Sequence, residues 1–163
     1  MVIWIIGLSG TGKTTLAREI QNCSSNMVLI DGDIIREVFG NDIGYSIEDR
    51  KKNAYRISRL CQFLEKQGVD VVCSILSIFS DNRLWNRKNI SNYFEVFIDT
   101  PINILIKRDS KGLYGKYLSG QIANVAGMDL EFEKPDSDYV ILNNSSKNDL
   151  LSHARSILKK ATS

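Results

Sequence analysis

The chain has 163 residues and a formal net charge of +2, with 43% of residues hydrophobic and 25% charged. These fractions belong to a globular protein of about one domain, 1–163, and exclude disordered, collagen-like and coiled-coil readings. With 21 basic against 19 acidic residues, the charge is too balanced for electrostatic binding of nucleic acid.

Two scarcities narrow the chemistry further. The cysteines Cys23, Cys61 and Cys73 are widely spaced and include no Cys-x-x-Cys pair, which fits reduced thiols in a cytoplasm and neither a disulfide framework nor a zinc site. His153 is the one histidine, so proton chemistry must rest on carboxylates, lysines or substrate groups. It falls beside the apolar stripe of a C-terminal helix and is expected there, partly exposed, without a chemical role.

In chain order, Val2–Ile6 is apolar but too short to span a bilayer, and no basic segment marks it as a signal peptide. It reads as a strand buried on both faces, as in a parallel sheet. Gly7-Leu8-Ser9-Gly10-Thr11-Gly12-Lys13-Thr14 follows and matches G-x-x-x-x-G-K-[ST] at every fixed position. The glycines allow backbone N–H groups to turn toward a phosphate, and the helix that continues through Thr15 adds its positive N-terminus. Lys13 is expected to reach the β- and γ-phosphates of ATP, and the Thr14 hydroxyl to ligate Mg²⁺. A guanine-reading Asn/Thr-Lys-x-Asp is missing, which argues against a GTPase.

A second strand over residues 27–30 runs into Asp31-Gly32-Asp33. It is expected beside the phosphate-loop strand, where ligands bind at the carboxyl ends of open α/β sheets. Asp31 can then position Mg²⁺ and take the proton of an attacking hydroxyl, while Asp33 doubles as N-cap of a helix over residues 34–39. Ser46 and Asp49 form an entry signal for a long helix ending near Lys66, with Ile47, Ala54, Ile57, Leu60, Cys61 and Leu64 on its apolar face and Gly68 as its stop. Further strands are expected over residues 69–76, 93–98 and 139–142, and a last helix after Ser146 and Asp149. Residues 109–134, with Gly112, Gly115, Gly120 and Gly127, show weak periodicity and are too long for an ordinary connection, so they read as a lid. Strands alternating with helices give an α/β P-loop nucleoside triphosphate hydrolase fold of the nucleotide-kinase kind: a parallel five-stranded sheet with helices on both faces.

Several longer motifs resemble the adenylyl-sulfate (APS) kinase family over nearly the whole chain, from Ile5 to about Asn143. They are Asp31-Gly32-Asp33-Ile34-Ile35-Arg36, Gly44-Tyr45-Ser46-Ile47-Glu48-Asp49-Arg50-Lys51-Lys52-Asn53, Val96-Phe97-Ile98-Asp99-Thr100-Pro101 and Arg108-Asp109-Ser110-Lys111-Gly112-Leu113-Tyr114. The resemblance implies phosphorylation by ATP of a nucleotide's ribose 3′-hydroxyl, with no membrane or nucleic-acid partner, and it leaves a homodimer open. It implies an ATP site of Gly7, Ser9, Gly10, Thr11, Gly12, Lys13, Thr14, Thr15 and Arg108, the last stacking on the ATP base. It makes Asp31, Lys13 and Lys111 catalytic, with Thr14 and Asp31 at the metal. Acceptor contacts are implied for Asp33, Arg36, Tyr45, Arg50, Asn53, Leu76, Ser77, Lys111, Gly112, Leu113 and Val125.

Departures from the family pattern gather around the acceptor base and the lid. An Asn-Phe-Thr-Gly-like stretch reads Asn124-Val125-Ala126-Gly127, and Ile-Ser-Pro-[Tyr/Phe]-Arg reads Leu76-Ser77-Ile78-Phe79-Ser80. An aromatic clamp is worth roughly 1–3 kcal/mol per base, so Val125 weakens an adenine site, and an aliphatic wall suits a pyrimidine. The chain is therefore also similar to the cytidine diphosphoramidate kinases of capsular polysaccharide modification, which favours that acceptor over APS. A sugar or other small alcohol as acceptor, and a non-catalytic nucleotide-binding module, are the other readings.

Overall fold

The structure is a computed structural model that describes residues 1–24, 26–144 and 146–163. Its elements in chain order are β1 (Val2–Ile6), α1 (Lys13–Asn22), β2 (Met27–Asp31), α2 (Gly32–Val38), α3 (Ile47–Lys66) and β3 (Asp70–Ile75). Then come α4 (Ser80–Asn89), β4 (Tyr93–Asp99), α5 (Ile102–Arg108), α6 (Leu113–Leu118), β5 (Tyr139–Leu142) and α7 (Lys147–Ala161). All strand pairs are parallel, in the order β2-β3-β1-β4-β5. The expected strand–helix alternation is thus present. The expected neighbourhood of β2 and β1 is not, because β3 lies between them.

Strand geometry explains why β1 is apolar at every position. Successive side chains point to opposite faces, and both faces of β1 are covered. Ile3 and Ile5 pack with Leu16, Ala17 and Ile20 of α1 and Leu150, Ala154 and Ile157 of α7. Val2, Trp4 and Ile6 pack with Ile35 of α2 and Ala54, Ile57 and Cys61 of α3. All five β1 side chains are fully buried, each contributing up to about 1.5–3 kcal/mol of hydrophobic stabilisation.

The helix boundaries follow local capping chemistry. Ser46 caps α3 by accepting from the Asp49 N–H at 3.1 Å, and Ser146 and Asp149 complete a capping box on α7, so both entry signals stand where the sequence put them. Ile47, however, is 47% exposed and lies off the α3 apolar face. His153 is half-buried against the Tyr139 hydroxyl, 2.9 Å from its Nδ1. Residues 109–134 contain α6, and their Tyr114, Val125 and Ala126 form an apolar cluster with Leu8 and Leu105. Among the described residues no helix is long and apolar enough to cross a membrane.

Candidate active site

The loop between β1 and α1 is shaped by two glycines. Gly12 has φ +92°, and a Cβ there would approach Leu150 Cδ2 to 2.5 Å. At Gly7 a Cβ would stand 2.7 Å from Thr11 Oγ1 and 3.0 Å from the Ile98 carbonyl. Only glycine meets both demands, left-handed backbone and close approach. Gly12 is the N-cap of α1 and no side chain caps that terminus, so the first-turn N–H groups have no intrahelical acceptors and are open to an anion. A phosphate fits this cradle by charge and by donor geometry.

Lys13, the first residue of α1, donates from Nζ to the Leu8 carbonyl at 2.8 Å. Burial, and secondarily the Lys111 ammonium, lower its pKa to about 8, against a smaller opposing pull from Asp31 and Asp33. A triphosphate would restore the cation by replacing a desolvated environment with opposite charge.

Asp31 ends β2 and is 8% exposed. Its Oδ2 accepts from Thr14 Oγ1 at 2.7 Å and from Ser74 Oγ at 2.6 Å, and its Oδ1 accepts from the Asp33 N–H at 3.0 Å. Burial pushes the carboxyl upward, but the Ser74 and Thr14 hydroxyls and the Asp33 and Ile34 N–H groups outweigh it, and the net shift is downward. Asp31 is therefore an anion at neutral pH. The Asp33 N–H bond makes Asp31 the N-cap of α2, which corrects the expectation that Asp33 holds that position. Because Thr14 gives its proton to Asp31, the hydroxyl's lone pairs are free to ligate a cation. One hydroxyl and one carboxylate beside a phosphate cradle suit Mg²⁺, which keeps several waters and shares its shell with substrate phosphates.

Ser74 was not anticipated. It pairs with Asp31 in the β2–β3 register, so parallel pairing brings the two side chains to the same face, and its hydroxyl also lies 3.4 Å from Thr14 Oγ1. The readable signal was a hydroxyl residue inside the otherwise apolar run Val71-Val72-Cys73-Ser74-Ile75.

Beyond Asp31, a cavity of about 80 Å³ opens between α2, α3 and the end of β3, and Asp33, Arg36, Tyr45, Arg50, Asn53, Leu76 and Ser77 all line it. Phe79 lines it as well. Arg36 is 5% exposed; its guanidinium bonds to the Ile43 and Gly44 carbonyls and lies 4.5 Å from the centroid of the Tyr45 ring. Arg50 donates from Nε to the Tyr45 carbonyl at 2.9 Å and lies 5.7 Å from the same ring. Burial and then the nearby Arg36 lower the Arg50 pKa, against opposing pulls from Tyr45 and Asp33. Asn53 donates to the Gly32 carbonyl at 3.3 Å, while its buried Oδ1 has no partner. The cavity is thus cationic at one end and amide-lined beside it, suited to a phosphate-linked anion. Ser77 is engaged in the fold too, since its hydroxyl accepts from Trp4 Nε1 at 3.1 Å.

Lys111 reaches across to Asp33 at 3.0 Å, which strengthens its hold on its proton. Gly112 is the left-handed N-cap of α6, away from the cavity lining. Leu113 packs against the lid cluster, and Val125 is 2% exposed within that cluster. The expectation that Val125 walls the acceptor base is therefore corrected: its N–H is held by Asp129 at 2.7 Å and its side chain turns to Leu8, Leu105 and Tyr114. Arg108 is exposed on the last turn of α5, and Thr15 lies in the first turns of α1.

Comparison with known proteins agrees with this geometry. A family model described as adenylylsulphate kinase matches residues 1–143. A cytidine diphosphoramidate kinase of Campylobacter jejuni is 39% identical, with the alignment covering 98% of this chain and 95% of that protein. An adenylyl-sulfate kinase of Chloroflexus aurantiacus is 40% identical over 83% of this chain and 75% of that protein. The APS kinase of Mycobacterium tuberculosis, solved with AMPPNP and APS, matches with a TM-score of 0.88 at 29% identity, covering 97% of this chain and 96% of that one. The chain belongs to the adenylylsulphate kinase family and is an ATP-dependent phosphotransferase acting on an alcohol group.

Proposed function

We propose that this enzyme transfers the γ-phosphoryl group of ATP to the ribose 3′-hydroxyl of a nucleotide 5′-phospho-anhydride, and that cytidine diphosphoramidate is preferred to adenylyl sulfate. One observation carries the reaction class: a phosphate cradle and a separate cationic cavity meet at Asp31 and Asp33, with Lys111 reaching in from residues 109–134. Two anionic substrates can thus be held on either side of one carboxylate pair.

In this reading Gly7, Ser9, Gly10, Thr11, Gly12 and Thr15 frame the ATP phosphates, Lys13 neutralises the transferring group, and Arg108 flanks the donor base. Mg²⁺ held at Thr14 and Asp31 would neutralise charge developing on the β- and γ-oxygens. Arg36, Arg50 and Asn53 hold the acceptor anhydride, with Leu76 and Ser77 completing its surroundings. Asp31 orients the 3′-hydroxyl and receives its proton late, since a loose phosphoryl transition state asks more of positioning than of base strength. Lys111 exchanges Asp33 for substrate phosphate as the lid closes.

The cytidine preference rests on two supports. Similarity to the Campylobacter protein extends over 98% of this chain and 95% of that protein, whereas similarity to the Chloroflexus adenylyl-sulfate kinase extends over 83% of this chain and 75% of that protein. In addition, the stretch that carries an aromatic in the APS kinase pattern has Val125, packed inward, so the cavity's rings are Tyr45 and Phe79. Steady-state ADP release with both acceptors tests the choice. A kcat/KM at least about tenfold higher with cytidine diphosphoramidate is expected, the scale of one base-stacking contact. A higher value with APS would replace this acceptor with the other.

The cationic cavity carries its own prediction. Arg36→Met should lower kcat/KM for the acceptor by about 10²-fold, because charge-assisted hydrogen bonds contribute about 1.5–3 kcal/mol. The KM for ATP should stay within about threefold, since each 1.4 kcal/mol is tenfold and no direct contact of Arg36 to the phosphate loop is involved. Equal losses for both substrates would place Arg36 outside the acceptor site.

A further inference from the structure

Tyr114 belongs to none of the groups assigned above, yet it joins the two halves of the site. It is 1% exposed, begins the lid helix α6 one residue in, and donates from its hydroxyl to the Ser9 carbonyl at 2.9 Å across 105 residues of sequence. Two other carbonyls of the phosphate loop are also held by side chains. The Leu8 oxygen accepts from Thr11 Oγ1 at 3.0 Å and from Lys13, and the Thr11 oxygen accepts from Asn143 Nδ2 at 2.9 Å. A peptide unit is planar and trans, so its C=O and N–H point in opposite directions. Fixing the Ser9 carbonyl on Tyr114 therefore fixes the Gly10 N–H away from Tyr114.

The other side of Tyr114 leads to Lys111. The Tyr114 N–H donates to Asp109 Oδ1 at 3.0 Å, the Gly115 N–H to Asp109 Oδ2 at 2.8 Å, and the Gly112 N–H to the Asp109 carbonyl at 2.9 Å. These bonds close the turn that carries Lys111, whose Nζ ends on Asp33. An unbroken series of contacts runs from Ser9 through Tyr114 and the Asp109 turn to Lys111.

We infer that Tyr114 is a positioning residue that ties residues 109–134 to the phosphate loop and thereby sets Lys111 over the reacting phosphates. The inference rests on the role proposed for Lys111. The hydroxyl is suited to this task as a permanent donor, because burial raises its pKa to about 12, beyond any working pH.

Tyr114→Phe isolates the tie, since the ring stays in its apolar cluster and only the hydroxyl is lost. The affinity for Mg·AMPPNP by calorimetry is expected to fall about five- to tenfold, and kcat by a similar factor, the scale of losing one buried hydrogen bond. Thermal melting should move by only a few degrees. Binding and kcat both within twofold of the unaltered protein would overturn the inference, because a merely packing role predicts that result. The second arm compares Tyr114→Phe, Lys111→Ala and the double variant. If Tyr114 acts through Lys111, the double variant should have nearly the kcat of Lys111→Ala alone. Fully multiplicative losses would overturn the coupling while leaving Lys111 its role. An unchanged kcat in Lys111→Ala would instead defeat the reading of Lys111, and the coupling with it.

Discussion

Asp31→Asn should reduce kcat by about 10³-fold or more while leaving the fold in place, a loss of about 4 kcal/mol of transition-state stabilisation. The substitution is nearly isosteric, and an amide oxygen can still accept from Thr14, Ser74 or the Asp33 N–H. What disappears is the negative charge. Four donors hold that carboxylate ionised against the penalty of burial, an arrangement worth building only if the charge itself is used. A side-chain amide also puts donor hydrogens where hydroxyl protons now point, so Thr14 would be turned from its cation-binding orientation. The checks are kcat at saturating ATP and acceptor, alongside thermal melting. A variant that melts normally and turns over within tenfold of the unaltered enzyme would remove Asp31 from the chemistry.

Lys13→Ala should be nearly as damaging, lowering kcat/KM for ATP by about 10³-fold, in the range that loss of one preorganised charge stabiliser costs. Lys13 also gives a signal that does not depend on turnover. Its pKa is lowered to about 8, burial being the main cause. A bound triphosphate favours the cation and raises that value. At pH 8 nucleotide binding should therefore take up about half a proton, and well below pH 7 almost none, because the lysine is already charged. Calorimetric titration in two buffers of different ionisation enthalpy reads this uptake directly, and Lys13→Ala should abolish it. Proton release at pH 8, or uptake that survives in the alanine variant, would contradict the assignment.

What the sequence made legible was chiefly local. The phosphate loop, Asp31, and the caps at Ser46 and Ser146 are each encoded within a few neighbouring residues, and helix and turn chemistry act at that range. The alternation of strands and helices likewise gave the parallel sheet. Strand order is a long-range property, and the presence of β3 between β2 and β1 is invisible in any local window. The same interposition is why Ser74 went unseen: its partner Asp31 is 43 residues away and is met only through strand register. Helix α4 also lacked a usable pattern, since its buried positions are Asn82, Arg83 and Asn86.

The lid misled for a different reason. Val125 and Leu113 occupy motif positions associated with the acceptor, yet both are apolar and find burial beside Leu8 and Tyr114. Motif alignment assigns a position, whereas the side chain's own hydrophobicity decides where it turns. Asp33, Arg36, Tyr45, Arg50 and Asn53, which are polar or partly so, line the cavity that the motifs led one to expect.

The central claim, transfer to a ribose 3′-hydroxyl, is tested most directly by product analysis with ³¹P NMR on cytidine diphosphoramidate and its 3′-deoxy analogue. The account predicts a new 3′-phosphomonoester resonance, in step with ADP release, from the first and no acceptor-dependent ADP from the second. Phosphorylation of the 3′-deoxy analogue at a comparable rate, or a phosphoryl group found elsewhere on the nucleotide, would contradict it.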